Sequence, residues 1–100
     1  IQLAFREVAD ALAARDTAGA QFDAQQAAHA ASAERLQLLR LRQANGVASA
    51  LDILDAEREL FSAEQALVQA RLLRTTAAID LYKALGGGWQ KDAALASASR

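Results

Sequence analysis

A seven-residue repeat of alanine in the second half of the chain constrains its fold more than any other feature. Five alanines follow this spacing without exception: Ala56, Ala63, Ala70, Ala77 and Ala84. Three positions earlier lies a mostly large and apolar row: Ile53, Leu60, Leu67, Arg74 and Leu81. Apolar residues alternating at three and four positions form the seam between helices packed side by side, and a strict period of seven predicts a left-handed supercoil. Because one row is entirely alanine, we expect the neighbouring helix to approach closely along this seam.

A third row widens the apolar stripe of this helix: Leu54, Phe61, Val68, Thr75 and Tyr82. The stripe therefore exceeds a two-stranded seam, which predicts that the helix contacts two neighbours. In the first half, nothing ends a helix between Leu3 and about Ala44, apart from a mild cost at Gly19. Small residues also recur there at heptad spacing: Ala13, Thr17, Ala20, Ala24, Ala27 and Ala31. Glu34 interrupts this stripe, Leu38 and Leu41 continue it, and we expect these residues to form the seam of the first helix.

The residues between the two helices predict a tight turn that reverses the direction of the chain. Asn45–Gly46 can adopt the left-handed conformation that ends a helix, and Ser49 with Asp52 three residues later resembles a capping box. The sequence therefore predicts an all-α fold, a long antiparallel, coiled-coil-like hairpin with helices over about 3–44 and 50–85. We expect Gly86–Gly88 to end the second helix and Trp89 to be an aromatic anchor. The hairpin then occupies 1–89, with its tip at 45–49, and a polar, frayed tail occupies 90–100.

Composition excludes several classes of function. Aromatic residues make up 5% of the chain and about half of the hydrophobic residues are alanine, so the large core of an α/β enzyme cannot form. The net charge is −1 with both signs interspersed, which predicts no nucleic-acid surface. Cysteine is absent, which removes disulfides and thiolate chemistry. No apolar run reaches the roughly 18–20 residues that a membrane-spanning helix needs. The missing initiator methionine indicates a processed product or an excised fragment.

No residue pattern indicates catalysis, and we expect neither a cofactor nor a metal. His29 has no carboxylate three positions away and is interpreted as an exposed or seam-filling residue. Four carboxylates crowd the start of the second helix: Asp52, Asp55, Glu57 and Glu59. Their simplest role is to complement the helix dipole, with Arg58 available as a local partner; a negatively charged site at the tip is the alternative. Gly86–Gly88 follows a helix, so it is not a phosphate-binding loop.

Three segments together resemble one family. Residues 45–60, NGVASALDILDAEREL, are similar to a segment of TolC-like outer-membrane efflux and secretion channels. Residues 81–89, LYKALGGGW, are similar to the segment that ends the helical part in the drug-efflux branch of that family. Residues 4–10, AFREVAD, are similar to the start of the helix before the tip. The two later motifs have the family's spacing. The resemblance covers about residues 3–89.

The resemblance implies a trimer whose protomers contribute strands to an outer-membrane β-barrel and long helices to a periplasmic α-barrel. This chain would be a hairpin of that α-barrel, and membrane contact would be made by strands outside it. The implied function is passive conduction of drugs, other small molecules or secreted substrates. An inner-membrane pump and a periplasmic adaptor would deliver them, in a Gram-negative bacterium.

The resemblance also assigns roles at the tip. Asp52 and Asp55 match acidic positions near the periplasmic aperture, where carboxylates form a ring that favours cations in some members. The turn over Asn45, Gly46, Val47, Ala48 and Ser49 matches the region that contacts the adaptor. Many members have tyrosine where this chain has Gln43, and some have a basic residue at the position of Ala48. If those residues hold the aperture shut in those members, this protein must close differently or more weakly, and no gating residues are assigned to it.

Two other classes of protein compete with the channel. The first is an interaction module, namely the coiled-coil hairpin of a periplasmic adaptor or a scaffold, but such hairpins lack the LDILDA and GGGW segments. The second, a bundle enzyme with a metal in its core, requires Glu-x-x-His pairs that are absent here. Because so little large apolar surface is available to an isolated hairpin, we also expect the chain by itself to self-associate, for instance into a four-helix bundle.

Overall fold

The chain forms two long helices joined by a short connection. A computed structural model describes residues 2–98, with side chains from residue 3 to residue 86. Helix α1 spans Gln2–Ala44 and helix α2 spans Ala50–Ala98, and no strand occurs within these residues. The all-α class and the two-helix hairpin are confirmed, and the predicted boundaries at residues 44 and 50 are correct. Within residues 2–98 no helix combines the length and apolarity needed to cross a bilayer.

The predicted end of the second helix is wrong. Helix α2 continues through Gly86–Gly88 to Ala98. Glycine within a helix costs about 1 kcal/mol relative to alanine, which weakens a helix without ending it. No proline follows, and residues such as Gln90, Lys91 and Ala93 are compatible with a helix. The side chains of Trp89 and of the proposed tail at 90–100 lie outside the described residues, so the anchor and the division at residue 89 stay predictions.

Contacts divide the chain into two compact units, each built from a segment of both helices. One unit comprises Gln21–Arg71 and contains the turn; the other comprises Ile1–Ala20 and Leu72–Arg100. In the unit that contains the turn, ion pairs join His29 to Glu64, Arg35 to Glu59 and Arg40 to Glu57. As the residue number rises along α1, the partner's number falls along α2. The two segments of this unit are therefore antiparallel neighbours.

Each unit has a thin core along the seam. Among residues 3–86, the buried apolar residues of Gln21–Arg71 are Phe22, Leu36, Ala56 and Ala70, and those of the other unit are Ala18, Ala77 and Leu81. In the predicted alanine row, Ala63 and Ala84 are half-buried and the other three alanines are buried. In the preceding row, Ile53, Leu60 and Leu67 are half-buried and Arg74 is exposed.

The predicted seam of the first helix is wrong. All eight of its residues, from Ala13 to Leu41, are exposed. Most buried and half-buried positions of α1 instead alternate at four and three, interrupted by exposed Arg15: Ala4, Val8, Ala11, Ala18, Phe22, Gln25, His29, Ser32, Leu36 and Leu39. Gly19 and Ala33, each next to one of these positions, are also half-buried. Alanine occurs on both sides of α1, so its spacing does not distinguish them. The observed seam contains Gln25, His29 and Ser32, and these polar residues hide its period in the sequence.

Candidate functional site at the hairpin tip

The end of α1 is closed by backbone hydrogen bonds of the Schellman type. The Val47 N–H donates to the Arg42 carbonyl at 2.8 Å, and the Gly46 N–H donates to the Gln43 carbonyl at 2.9 Å. Gly46 has φ +78°, the left-handed conformation that this motif requires at the position after the C-cap. The Asn45 side chain adds a bond from Nδ2 to the Leu41 carbonyl at 3.0 Å. Of the predicted pair, glycine alone adopts the left-handed conformation.

Replacing Gly46 by alanine is expected to lower the free energy of unfolding by about 1–2 kcal/mol, because a left-handed conformation is costly for a residue with a Cβ atom. No heavy atom lies within 4 Å of the position that the added methyl group would occupy, so the cost is one of backbone conformation alone. Gly19→Ala is the matched control, since Gly19 lies inside α1 and has the same open space. That change is expected to stabilise the chain by about 0.5–1 kcal/mol. Urea unfolding measures both, and equal effects would contradict this account.

The start of α2 is a reciprocal capping box. The Asp52 N–H donates to Ser49 Oγ at 3.2 Å, and the Ser49 N–H donates to Asp52 Oδ2 at 3.3 Å. The Ile53 N–H donates to the Ser49 carbonyl at 3.3 Å, the first regular bond of the helix. The capping box that the sequence predicts is therefore present, with aspartate in the place usually held by glutamate or glutamine. Because both ends of the turn are closed locally, residues 45–49 hold a defined conformation.

The four carboxylates at the start of α2 have different surroundings. Glu57 accepts a hydrogen bond from Arg40 Nη2 at 3.3 Å, and Glu59 accepts one from Arg35 Nη1. Asp52 belongs to the capping box. Asp55 is exposed, and its carboxylate makes no hydrogen bond or ion pair with another described residue. Of these four carboxylates, Asp55 is therefore the one with neither a hydrogen bond nor an ion pair among the described residues.

Sequence reasoning missed the partners of these charged residues. It considered Arg58 as a local partner of the carboxylates, whereas the arginines that pair with them come from α1. It likewise tested His29 only against residues of its own helix, but His29 Nε2 lies 3.6 Å from Glu64 Oε1 on α2. An antiparallel hairpin with its turn at 45–49 brings together residues whose numbers add to nearly the same value. Applying that rule to the sequence would have found all three pairs.

The surface of the tip is exposed and partly apolar. Asn45, Gly46, Val47 and Ser49 are exposed, and Ala48 is half-buried. Val47 is 76% exposed and Leu51 65% exposed, large values for aliphatic side chains. The structure thus places the five predicted contact residues together at one end of the unit, with Asp52 and Asp55 on the first turns of α2 beside them. The contact with an adaptor and the acidic aperture stay predictions.

Comparison with known proteins defines the class of this chain. Residues 1–87 match the family described as outer membrane efflux protein. The chain therefore belongs to the outer membrane efflux protein family. That description names an outer-membrane efflux protein, whereas the competing interaction module was the hairpin of a periplasmic adaptor or a scaffold.

Several relatives have curated descriptions. The chain is 49% identical over 89 residues to the probable efflux pump outer membrane protein TtgC of Pseudomonas putida, covering 89% of this chain and 18% of that protein. The antibiotic efflux pump outer membrane protein ArpC of Pseudomonas putida matches with the same identity and coverage. The cation efflux system protein CusC of Escherichia coli is 47% identical over 91 residues, covering 91% of this chain and 20% of that protein. The chain spans about a fifth of these relatives. No solved structure gives a significant match.

Proposed function

We propose that this chain is the periplasmic end of a trimeric outer-membrane channel that conducts drugs or other small molecules passively. Its parent would receive them from an inner-membrane pump through a periplasmic adaptor. Membership of the outer membrane efflux protein family supports the outer-membrane and transport part of this proposal. The chain itself is proposed to have no enzymatic activity. Its described carboxylates are exposed or paired with bases of the facing helix, unlike an enclosed acid–base pair.

The observation that carries the assignment of a site is the unequal pairing of the four carboxylates. Arg35 and Arg40 compensate Glu59 and Glu57, so these two contribute little net charge at the tip. Asp52 accepts the hydrogen bond of the cap but has no basic partner among the described residues, and Asp55 has neither kind of partner there. An exposed, uncompensated carboxylate attracts cations within about a Debye length, roughly 8–10 Å in physiological salt. If the tip borders the channel entrance, Asp55, assisted by Asp52, biases that entrance towards cations.

The turn at Asn45–Ser49 is proposed to contact the adaptor. The supporting observation is that Val47 and Leu51 are large, exposed apolar residues on a conformation closed by its own hydrogen bonds. A preorganised surface loses little conformational entropy when it binds. The apolar side chains would supply the contact, and the acidic residues of α2 would remain available to the channel.

The acidic aperture is tested in the full-length channel that contains this hairpin. Asp55→Asn is expected to reduce the ratio of cation to anion permeability by a factor of about two to five, since an exposed unit charge contributes about 1 kcal/mol at contact distance in water. Asp52→Asn, which retains an oxygen that can accept the Ser49 hydrogen bond, is expected to have a smaller effect, and the double variant the largest. The measurement is the reversal potential of single channels in a salt gradient.

Glu64→Gln is the matched control for this experiment. It removes one negative charge from α2 at a site facing His29, more than two turns beyond Asp55. We expect it to leave selectivity unchanged. Unaltered selectivity in the Asp52→Asn/Asp55→Asn channel would show that both carboxylates serve only the start of the helix. An effect of Glu64→Gln equal to that of Asp55→Asn would show that the tip is not the charge-sensing region.

A further inference from the structure

The chain contains a single asparagine, and glycine follows it. This residue is Asn45, at the tip of the hairpin. An asparagine side chain loses ammonia when the main-chain nitrogen of the next residue attacks its carboxamide carbon and closes a succinimide ring. Glycine presents the least hindered nitrogen for this attack, since it has no Cβ atom. Asn45–Gly46 is therefore the position in this sequence that is most prone to deamidation.

The structure leaves this dipeptide open to solvent. Asn45 and Gly46 are both exposed, and no heavy atom lies within 4 Å of the position that a Cβ atom of Gly46 would occupy. Water and hydroxide can therefore reach both the carboxamide and the main-chain nitrogen. Packing against the rest of the chain does not shield the two reacting groups.

Hydrogen bonds nevertheless hold both reacting groups. The Gly46 N–H, whose nitrogen is the nucleophile, donates to the Gln43 carbonyl at 2.9 Å. Asn45 Nδ2, the nitrogen that would leave, donates to the Leu41 carbonyl at 3.0 Å, one turn back along α1. The nucleophile cannot lose its proton and approach the carboxamide carbon while it donates to Gln43. Ring closure therefore requires the end of α1 to open first.

We propose that Asn45–Gly46 is a site of spontaneous deamidation and that the hydrogen bonds closing α1 control its rate. When the end of α1 opens, the Gly46 nitrogen gives its proton to hydroxide and bonds to the carboxamide carbon of Asn45. The bond from that carbon to Nδ2 breaks, and Nδ2 takes a proton from water and leaves as ammonia. Water then opens the succinimide, at the side-chain carbonyl to give aspartate or at the main-chain carbonyl to give isoaspartate. Overall, water is consumed and ammonia is released, without oxidation or reduction.

The products change the tip in a defined way. A carboxylate at residue 45 cannot donate to the Leu41 carbonyl, and it places negative charge at the carbonyl end of α1, where the helix dipole disfavours it. Isoaspartate also adds a methylene group to the main chain before Gly46, so the N–H groups of Gly46 and Val47 shift away from their acceptors. Deamidation is therefore an irreversible step that opens the closure of α1. It concerns the tip itself and is independent of the channel function.

Incubation of the complete chain in mildly alkaline buffer tests the reaction. Trypsin cleaves after Arg42 and Arg58 and releases residues 43–58, which contain the one asparagine of the chain. Mass spectrometry of this peptide is expected to show the small mass gain that accompanies replacement of NH₂ by OH. The product is expected to include isoaspartate, which forms only through the imide. Absence of isoaspartate, even from the chain unfolded in urea, would overturn the proposal.

A comparison of rates in native buffer and in urea tests the control by α1. The folded chain is expected to deamidate roughly fivefold to thirtyfold more slowly than the chain in urea, the factor that two ordinary hydrogen bonds provide. Circular dichroism in each solution reports whether the helices are present. If the chain alone is not helical, the folded rate is measured on the full-length channel that contains this hairpin. Equal rates for the helical and the unfolded state would overturn the proposed control.

Two substitutions separate the closure of α1 from general mobility of the turn. Val47→Pro removes the N–H that donates to the Arg42 carbonyl at 2.8 Å and leaves the dipeptide unchanged. It is expected to bring the rate in native buffer close to the rate in urea. The matched control is Ser49→Ala, which removes the hydroxyl that accepts from the Asp52 N–H at the start of α2. It is expected to deamidate at the rate of the wild type, and equal acceleration by both changes would overturn the role of the closure.

Gly46→Ala tests the chemical step in urea, where the conformation of the turn no longer matters. The added methyl group hinders the attacking nitrogen, so this variant is expected to deamidate more slowly than the wild type and to yield less isoaspartate. An unchanged rate would show direct hydrolysis of the carboxamide and overturn the route through the imide.

Discussion

Replacing Phe22 by alanine is expected to lower the free energy of unfolding by roughly 3 kcal/mol, at the lower end of the range for phenylalanine in a core. Phe22 is 7% exposed, and among the described residues it is the largest buried side chain. It also joins the two helices, since the guanidinium carbon of Arg71 lies 6.0 Å from the centre of its ring. A thin seam has few neighbours that can collapse into the space left by the ring. Urea unfolding followed by circular dichroism, at fixed chain concentration, measures the change.

Phe5→Ala is the control for this prediction because Phe5 is on the same helix and 78% exposed. Its effect is expected to lie within about 0.5 kcal/mol of zero, as for most surface substitutions. A loss at Phe5 equal to that at Phe22 would show that helix propensity, rather than burial in the seam, determines the stability of α1. A negligible loss at Phe22 would show that the two helices are not held by this contact.

Replacing Ala56 by leucine is expected to destabilise the hairpin by about 1–3 kcal/mol, although leucine is larger and more hydrophobic. Ala56 is 1% exposed, the lowest value among the described apolar residues. Because Ala56 is almost completely covered, the added carbon atoms have no free space, so the backbones must separate or the side chain must adopt a strained rotamer. The same unfolding experiment measures the effect. A stabilising effect would show that the alanine row leaves space for a larger side chain at residue 56.

Ala78→Leu is the matched control on α2, since Ala78 is exposed. Leucine and alanine have similar helix propensities, so this change is expected to leave stability within about 0.5 kcal/mol. The contrast between residues 56 and 78 separates the effect of the seam from that of the helix. The predictions for Phe22 and Ala56 together express one idea: a few large side chains and a row of very small ones hold the two helices together.

The tip is the region where sequence reasoning was most successful. A glycine after a C-cap and a serine with aspartate three residues later are local signals, and the bonds they predict join residues at most five positions apart. Interactions of this range depend on the residues themselves. Resemblance to a known family, carried by the segment around the same tip, also identified the family to which the chain belongs. The roles proposed for Asp52 and Asp55 need the rest of the channel and its partners.

The errors along the helices have a common physical origin. Ala24 and Ala31 have the spacing of a seam but are exposed, whereas Gln25 and Ser32 beside them are half-buried. When nearly every small residue is alanine, the difference in burial energy between two sides of a helix is slight, and the facing helix decides which side is covered. At Gly86–Gly88 the error was to overestimate a local signal. Three weak helix formers did not interrupt a long helix that contains no proline.

The sequence by itself therefore determined the all-α class, the position and chemistry of the turn, and the seam of α2. Heptad spacing and capping depend on neighbours within one helical turn or two. Only the tertiary structure decided which side of α1 faces α2 and which arginines compensate Glu57 and Glu59. It also decided that Asp55 has no partner among the described residues and that Phe61 and Val68 remain uncovered. Those outcomes depend on residues brought together from distant parts of the chain, and their energies arise only once the two helices are in contact.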